Sequence, residues 1–165
     1  MTRSFRYPLS CLYVDYAGSA FGLACSLGPL AFARPAAAIA WVLAAAGALF
    51  LVYFGRTVCR QLTHFELDEA GIRARGPLGA AIRWEELRLL RLDYYSTRRD
   101  REEGWMQLRL RDARRTIRID SEVDGFADIA RAAAAAAQRR GADSTAATRS
   151  NLRMLGIAQG PADAA

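Results

Sequence analysis

Residues 36–54 read Ala-Ala-Ala-Ile-Ala-Trp-Val-Leu-Ala-Ala-Ala-Gly-Ala-Leu-Phe-Leu-Val-Tyr-Phe, 19 positions without a charge, an Asn or a Gln. At about 1.5 Å per residue such a helix is roughly 28 Å long, close to the hydrocarbon thickness of a bilayer. In a chain of 165 residues a soluble core seldom calls for a helix that is apolar on every side. The run is therefore read as a transmembrane helix, and the rest of the chain is placed around it.

Upstream lies a second uncharged run, 17–33, at the short end for a span. Gly18, Gly22 and Ser26 recur there every fourth position, and Ala36, Ala40, Ala44 and Ala48 do so in the next helix. Small side chains at that spacing let helix backbones approach closely in lipid, so Gly18, Gly22, Ser26, Ala40, Ala44 and Ala48 are the expected packing face. That face can close the hairpin or join two copies of the chain. Arg34-Pro35 is the outer turn. Ala31-Phe32-Ala33 resembles a signal-peptidase site, but cleavage there would leave the next apolar run at the new N-terminus. Cys25 lacks the Leu expected at position 22 of a lipobox, where Gly22 stands.

Arg3 and Arg6 precede the first run, Arg34 stands in the turn, and Arg56 and Arg60 follow the second. Basic flanks stay in the cytoplasm, so both termini are expected there. Tyr7, Tyr13 and Tyr16 suit the headgroup level. Asp15 belongs at that boundary too, since a carboxylate at the bilayer centre costs several kcal/mol.

All 23 basic residues are Arg, against 17 acids. The excess fits a cytoplasmic flank. A nucleic-acid surface is not expected, because acids interleave with Arg98, Arg99 and Arg101 and break any continuous basic stripe. Cys11, Cys25 and Cys59 have no paired spacing, and His64 is the single histidine, which is too little for a disulfide framework, a metal centre or an acid–base relay. Glu85-Glu86 and Glu102-Glu103 are adjacent pairs, and neighbours on a strand face opposite ways, so neither makes a catalytic couple. With no phosphate loop or nucleophile motif, no enzyme, catalytic residue, cofactor or metal is expected.

From Gln61 the hydrophobic period changes from helical to alternating. Residues 63–67, 72–75, 80–84, 87–95, 105–111 and 116–120 read as six strands, separated by turns such as Asp68-Glu69-Ala70-Gly71 and Gly76-Pro77-Leu78-Gly79. Met106, Leu108, Leu110, Ile117 and Ile119 should face inward. Ser121-Glu122-Val123-Asp124 looks like a helix N-cap box. The helix behind it ends at Gly141 and shows Phe126, Ile129, Ala130, Ala133 and Ala137 on one face. Short strands joined by turns suggest an antiparallel barrel that this helix covers. The expected fold class is thus an α+β membrane protein, with a two-helix transmembrane hairpin followed by a small antiparallel β-barrel and one C-terminal helix. Its expected parts are a cytoplasmic N-terminal segment (1–16), the hairpin (17–55, spans 17–33 and 36–54), a cytoplasmic domain (61–141) and a mobile tail (142–165).

Phe65-Glu66-Leu67-Asp68-Glu69-Ala70-Gly71-Ile72 resembles the opening hairpin of the bacterial pleckstrin-homology (PH) domain membrane proteins. Ile82-Arg83-Trp84-Glu85-Glu86-Leu87 resembles that family's third strand running into an acidic turn. The resemblance implies a split barrel, usually of seven strands, and implies no enzyme. It carries over no phosphoinositide site, because the first turn is acidic. The resulting expectation is a non-enzymatic protein of the bacterial inner membrane whose PH-like domain mediates protein interaction or assembly. The partners expected are the bilayer, an unidentified protein and a further copy of the chain. The alternative is a sensor of anionic lipid headgroups, with Arg56, Arg60, Arg73 and Arg75 as membrane-surface contacts.

Overall fold

The computed structural model describes residues 2–77, 79–96 and 104–157. The mixed-charge loop around Arg98, Arg99 and Arg101, Leu78 of the second turn, and the end of the tail lie outside them. The fold is α+β, with four helices and two four-stranded sheets among the described residues. It divides into a helical unit, Tyr7–Leu62, and a sheet unit made of Met1–Arg6 and Thr63–Ala165.

The first element, β1 (Arg3–Arg6), corrects the reading of 1–16 as a flank outside the folded domain. It pairs antiparallel with β2 (His64–Leu67), Arg6 opposite His64 and Arg3 opposite Leu67. The sheet unit therefore begins before the helices and resumes after them.

The helical unit holds α1 (Leu9–Phe32) and α2 (Ala37–Gln61), packed antiparallel across the short link 33–36. Both outrun the expected spans. Among the described residues α2 is the one helix long and apolar enough to cross a membrane, with a mean hydropathy of 2.2. In α1, Asp15, Ser10, Ser19 and Ser26 dilute the apolar character.

The packing seam keeps Gly22 and Ser26 of the expected face but follows a different line. Leu12, Ser19, Gly22 and Ser26 are the buried positions of α1. A Cβ on Gly22 would collide with the Phe50 ring, and one on Gly47 would lie 2.8 Å from Leu27. Gly18 faces open space, Ala40 is half-buried, and Ala44 and Ala48 are exposed. A four-residue repeat turns about 40° per step around a 3.6-residue helix and so leaves the interface. The seam instead follows the seven-residue spacing of Leu12, Ser19 and Ser26, which stays facing its partner.

The sheet unit continues through β3 (Gly71–Arg75) and β4 (Ala80–Arg83), which complete the first sheet, sheet A, in the order β1-β2-β3-β4. A 3-10 turn, Trp84–Glu86, leads to β5 (Leu89–Tyr95), β6 (Trp105–Arg111) and β7 (Thr116–Asp120) of the second sheet, sheet B. All six strands read from the sequence are present. They do not close into a barrel, because no ladder joins β4 to β5. The chain turns a corner there: Trp84 donates its backbone N–H to Ala70 O (2.9 Å) and its indole N–H to Asp68 O (3.2 Å). Those bonds hold the turn on sheet A and send β5 into the second sheet.

The alternation in β6 and β7 buries Leu108, Leu110, Ile117 and Ile119, with Met106 half-buried. Helix α3 (Phe126–Arg140) buries Phe126, Ile129, Ala130, Ala133 and Ala137, lies against β5 and the Trp84–Glu86 turn, and ends at Gly141, φ +63°. Its start is not the expected cap. Ser121 continues the sheet, its Oγ accepting from Met106 N (3.0 Å) and its N–H donating to Met106 O (2.8 Å). The helix starts instead behind Gly125 at φ +71°, where a Cβ would strike the Phe5 ring.

Residues 143–157 are built into the fold, which corrects the mobile-tail reading. After Gly141, β8 (Asp143–Ser144) pairs parallel with Leu89 and Leu90 of β5. Helix α4 (Ala146–Met154) then buries Leu152, and Ile157 is buried beyond it. Leu92 donates its N–H to Thr148 Oγ1 (3.2 Å), and Asn151 Nδ2 donates to Leu92 O (2.7 Å). An edge strand offering unpaired backbone groups invites foreign pairing; here the tail occupies β5's edge.

Candidate functional site

The register gives the sheet unit two distinct ends. At one end Arg6 lies opposite His64, and His64 opposite Arg75. The chain leaves this unit after Arg6 and re-enters it at Thr63. At the other end of sheet A lie the Asp68–Ala70 turn and Arg83, opposite Gly71. Sheet B runs the same way. Its Met106 end is bonded to Ser121, and Asp124 donates its N–H to Arg6 O (3.0 Å), whereas the β6–β7 turn closes the far end. Seven residues of β5 at about 3.4 Å each put roughly 20 Å between these ends.

The far end carries a cleft of about 760 Å³. Arg73, Arg83, Arg88, Arg114 and Arg115 line it with Glu85, Glu86 and Asp112. All five arginines are exposed, and among the described residues none is ion-paired. Asp112 is buried and serves its own turn, accepting from the backbone N–H groups of Arg114 and Arg115. The Arg114 N–H, then that of Arg115, hold its carboxyl below the ordinary carboxylate range against the opposing effect of burial. Asp112 is thus ionised at neutral pH and shapes the turn that presents two of the arginines. The cleft offers guanidinium groups suited to bidentate contact with carboxylate or phosphate oxygens.

The arginines read as one membrane-facing set are divided between the two units. Arg56 and Arg60 belong to the helical unit and Arg73 and Arg75 to the sheet unit. Arg60 pairs with Asp15 (3.5 Å) and lies 4.7 Å over the Tyr7 ring, while Arg56 is exposed. Arg75 pairs with Glu66 (2.8 Å) and Arg73 lines the cleft. Asp15 is also held by Tyr53, whose hydroxyl donates at 2.7 Å, and Tyr16 donates to Gln61. Sequence reasoning missed the cleft because its arginines come from three separate stretches. The signal that points there is the arginine pair in Asp112-Ala113-Arg114-Arg115, between the fifth and sixth alternating segments. No protein-family model, curated protein or solved structure matches the chain.

Proposed function

We propose that the chain is a non-enzymatic, membrane-anchored interaction module of the bacterial inner membrane. In this reading α1 and α2 cross the bilayer, and the sheet unit works in the cytoplasm, docking a protein through the arginine-lined cleft. The carrying observation is the placement of that cleft at the end of the sheet unit away from Arg6 and Thr63, where the chain joins the helices. Seven antiparallel strands, β1 to β7, followed by amphipathic α3 support the PH-like reading, in its open, split form. The commitment of Asp112 to its own turn favours a binding role for the cleft over an acid–base one.

Topology is tested with Cys11, Cys25 and Cys59 replaced. Arg34→Cys is expected to react with an impermeant thiol reagent added outside spheroplasts, and Ala142→Cys only after lysis. The reverse pattern would overturn the orientation. Docking is tested by a photo-cross-linking residue at Arg83 in intact membranes, with exposed Met154 as the control position. A discrete protein adduct is expected from position 83 alone. Arg88→Glu or Arg114→Glu should weaken it about tenfold each, the scale of an interface arginine worth 1–2 kcal/mol. Adducts with phospholipid in place of protein would support the headgroup-sensing alternative.

A further inference from the structure

Tyr94, Tyr95 and Trp105 stand together at the end of the β5–β6 pair, each near 40% exposed (40%, 39% and 43%). Tyr95 and Trp105 are direct cross-strand partners, their rings stacked at 4.8 Å and 24°. Tyr94 points to the other face and covers Gly104, where a Cβ would collide with its ring. Aromatic surface is thus fixed on both faces of one strand end. A protein partner docks on one face; a surrounding medium wets both.

The position of this end decides which medium. Met106, next to Trp105, is bonded to Ser121, and Asp124 N–H reaches Arg6 O at 3.0 Å. Arg6 is opposite His64. The aromatic end is therefore on the side of the sheet unit where the chain departs at Arg6 and returns at Thr63. Tyr and Trp join an apolar ring to a polar edge and concentrate at the headgroup level of membranes.

We infer that Tyr94, Tyr95 and Trp105 form an interfacial anchor that seats the sheet unit on the cytoplasmic leaflet and turns the arginine-lined cleft away from it. The inference rests on the membrane reading above. With the two termini of the helical unit as a tether, this third contact stops the domain from pivoting. The anchor relies on ring partitioning, so it needs no particular headgroup.

The test uses the full chain in phospholipid vesicles containing lipid brominated near the headgroup, with soluble iodide as the opposing quencher. Trp41→Phe leaves Trp105 as the exposed reporter, since Trp84 is buried in the sheet unit; Trp105→Phe leaves Trp41. Loss of emission in brominated vesicles from both variants, with Trp105 shielded from iodide, is the expected result. Quenching of Trp41 by lipid but of Trp105 only by iodide would overturn the anchor and leave the membrane reading standing. Failure of lipid to quench either residue would overturn both.

Discussion

Leu152→Ala is expected to destabilise the sheet unit by about 2–5 kcal/mol, the cost of deleting a fully buried Leu side chain. Leu152 is 0% exposed on α4, and the same helix brings Thr148 and Asn151 to the backbone of Leu92. Met154, two residues on, is 63% exposed, and Met154→Ala should change stability by less than about 0.5 kcal/mol. Urea unfolding of the full chain in detergent, followed through Trp84 emission, compares the two. Matching midpoints would return 143–157 to the status of a loose tail. The same geometry makes residues 61–141 a poor fragment, since that cut removes β1, β8 and α4 together.

The central strand gives the second large effect. Leu108 on β6 is 0% exposed, opposite Leu92 on one side and Ile119 on the other. Leu108→Ala should cost about 2–5 kcal/mol. Arg109, its neighbour, has Arg91 and Arg118 directly across it, and its Nε is buried without a hydrogen-bond partner among the described residues. Like charges directly opposite oppose pairing by tenths of a kcal/mol to about 1 kcal/mol, so Arg109→Ala should be neutral or slightly stabilising. Equal losses from the two substitutions, in the same urea experiment, would shift the strand phase by one residue.

The six strand segments were legible because period-2 patterning is a local property. What escaped was whatever depends on distant partners. Arg3–Arg6 carries one half-buried side chain, Phe5, and four residues cannot display a period. Its strand identity comes from β2, sixty positions away. Asp143-Ser144 is shorter still and is a strand only because the edge of β5 accepts it. The N-cap failed for a related reason: Ser121 had a competing partner in Met106, a residue fifteen positions earlier. The helix seam was read correctly only at Gly22 and Ser26, because small residues at every fourth position were counted without following their drift around the helix. The barrel was an over-reading of strand count, since nothing in the alternation showed that Trp84 would turn the corner.

The placement of β1 before the helices has a kinetic consequence. Closing β1 onto β2 spans the 57 residues between Arg6 and His64. As a flexible loop, that closure would cost roughly 3–4 kcal/mol of chain entropy. The helical unit removes most of this cost, because it holds its own ends together. Arg60 sits on the ring of Tyr7 and pairs with Asp15, and Tyr16 bonds Gln61. Closing β1 onto β2 therefore costs little chain entropy once the helices are paired and the full loop cost if they are not. A chain whose helices failed to pair would be left with β2 exposed as an open edge. Correct assembly of the helices is thereby written into the hydrogen bonding of a sheet they take no part in.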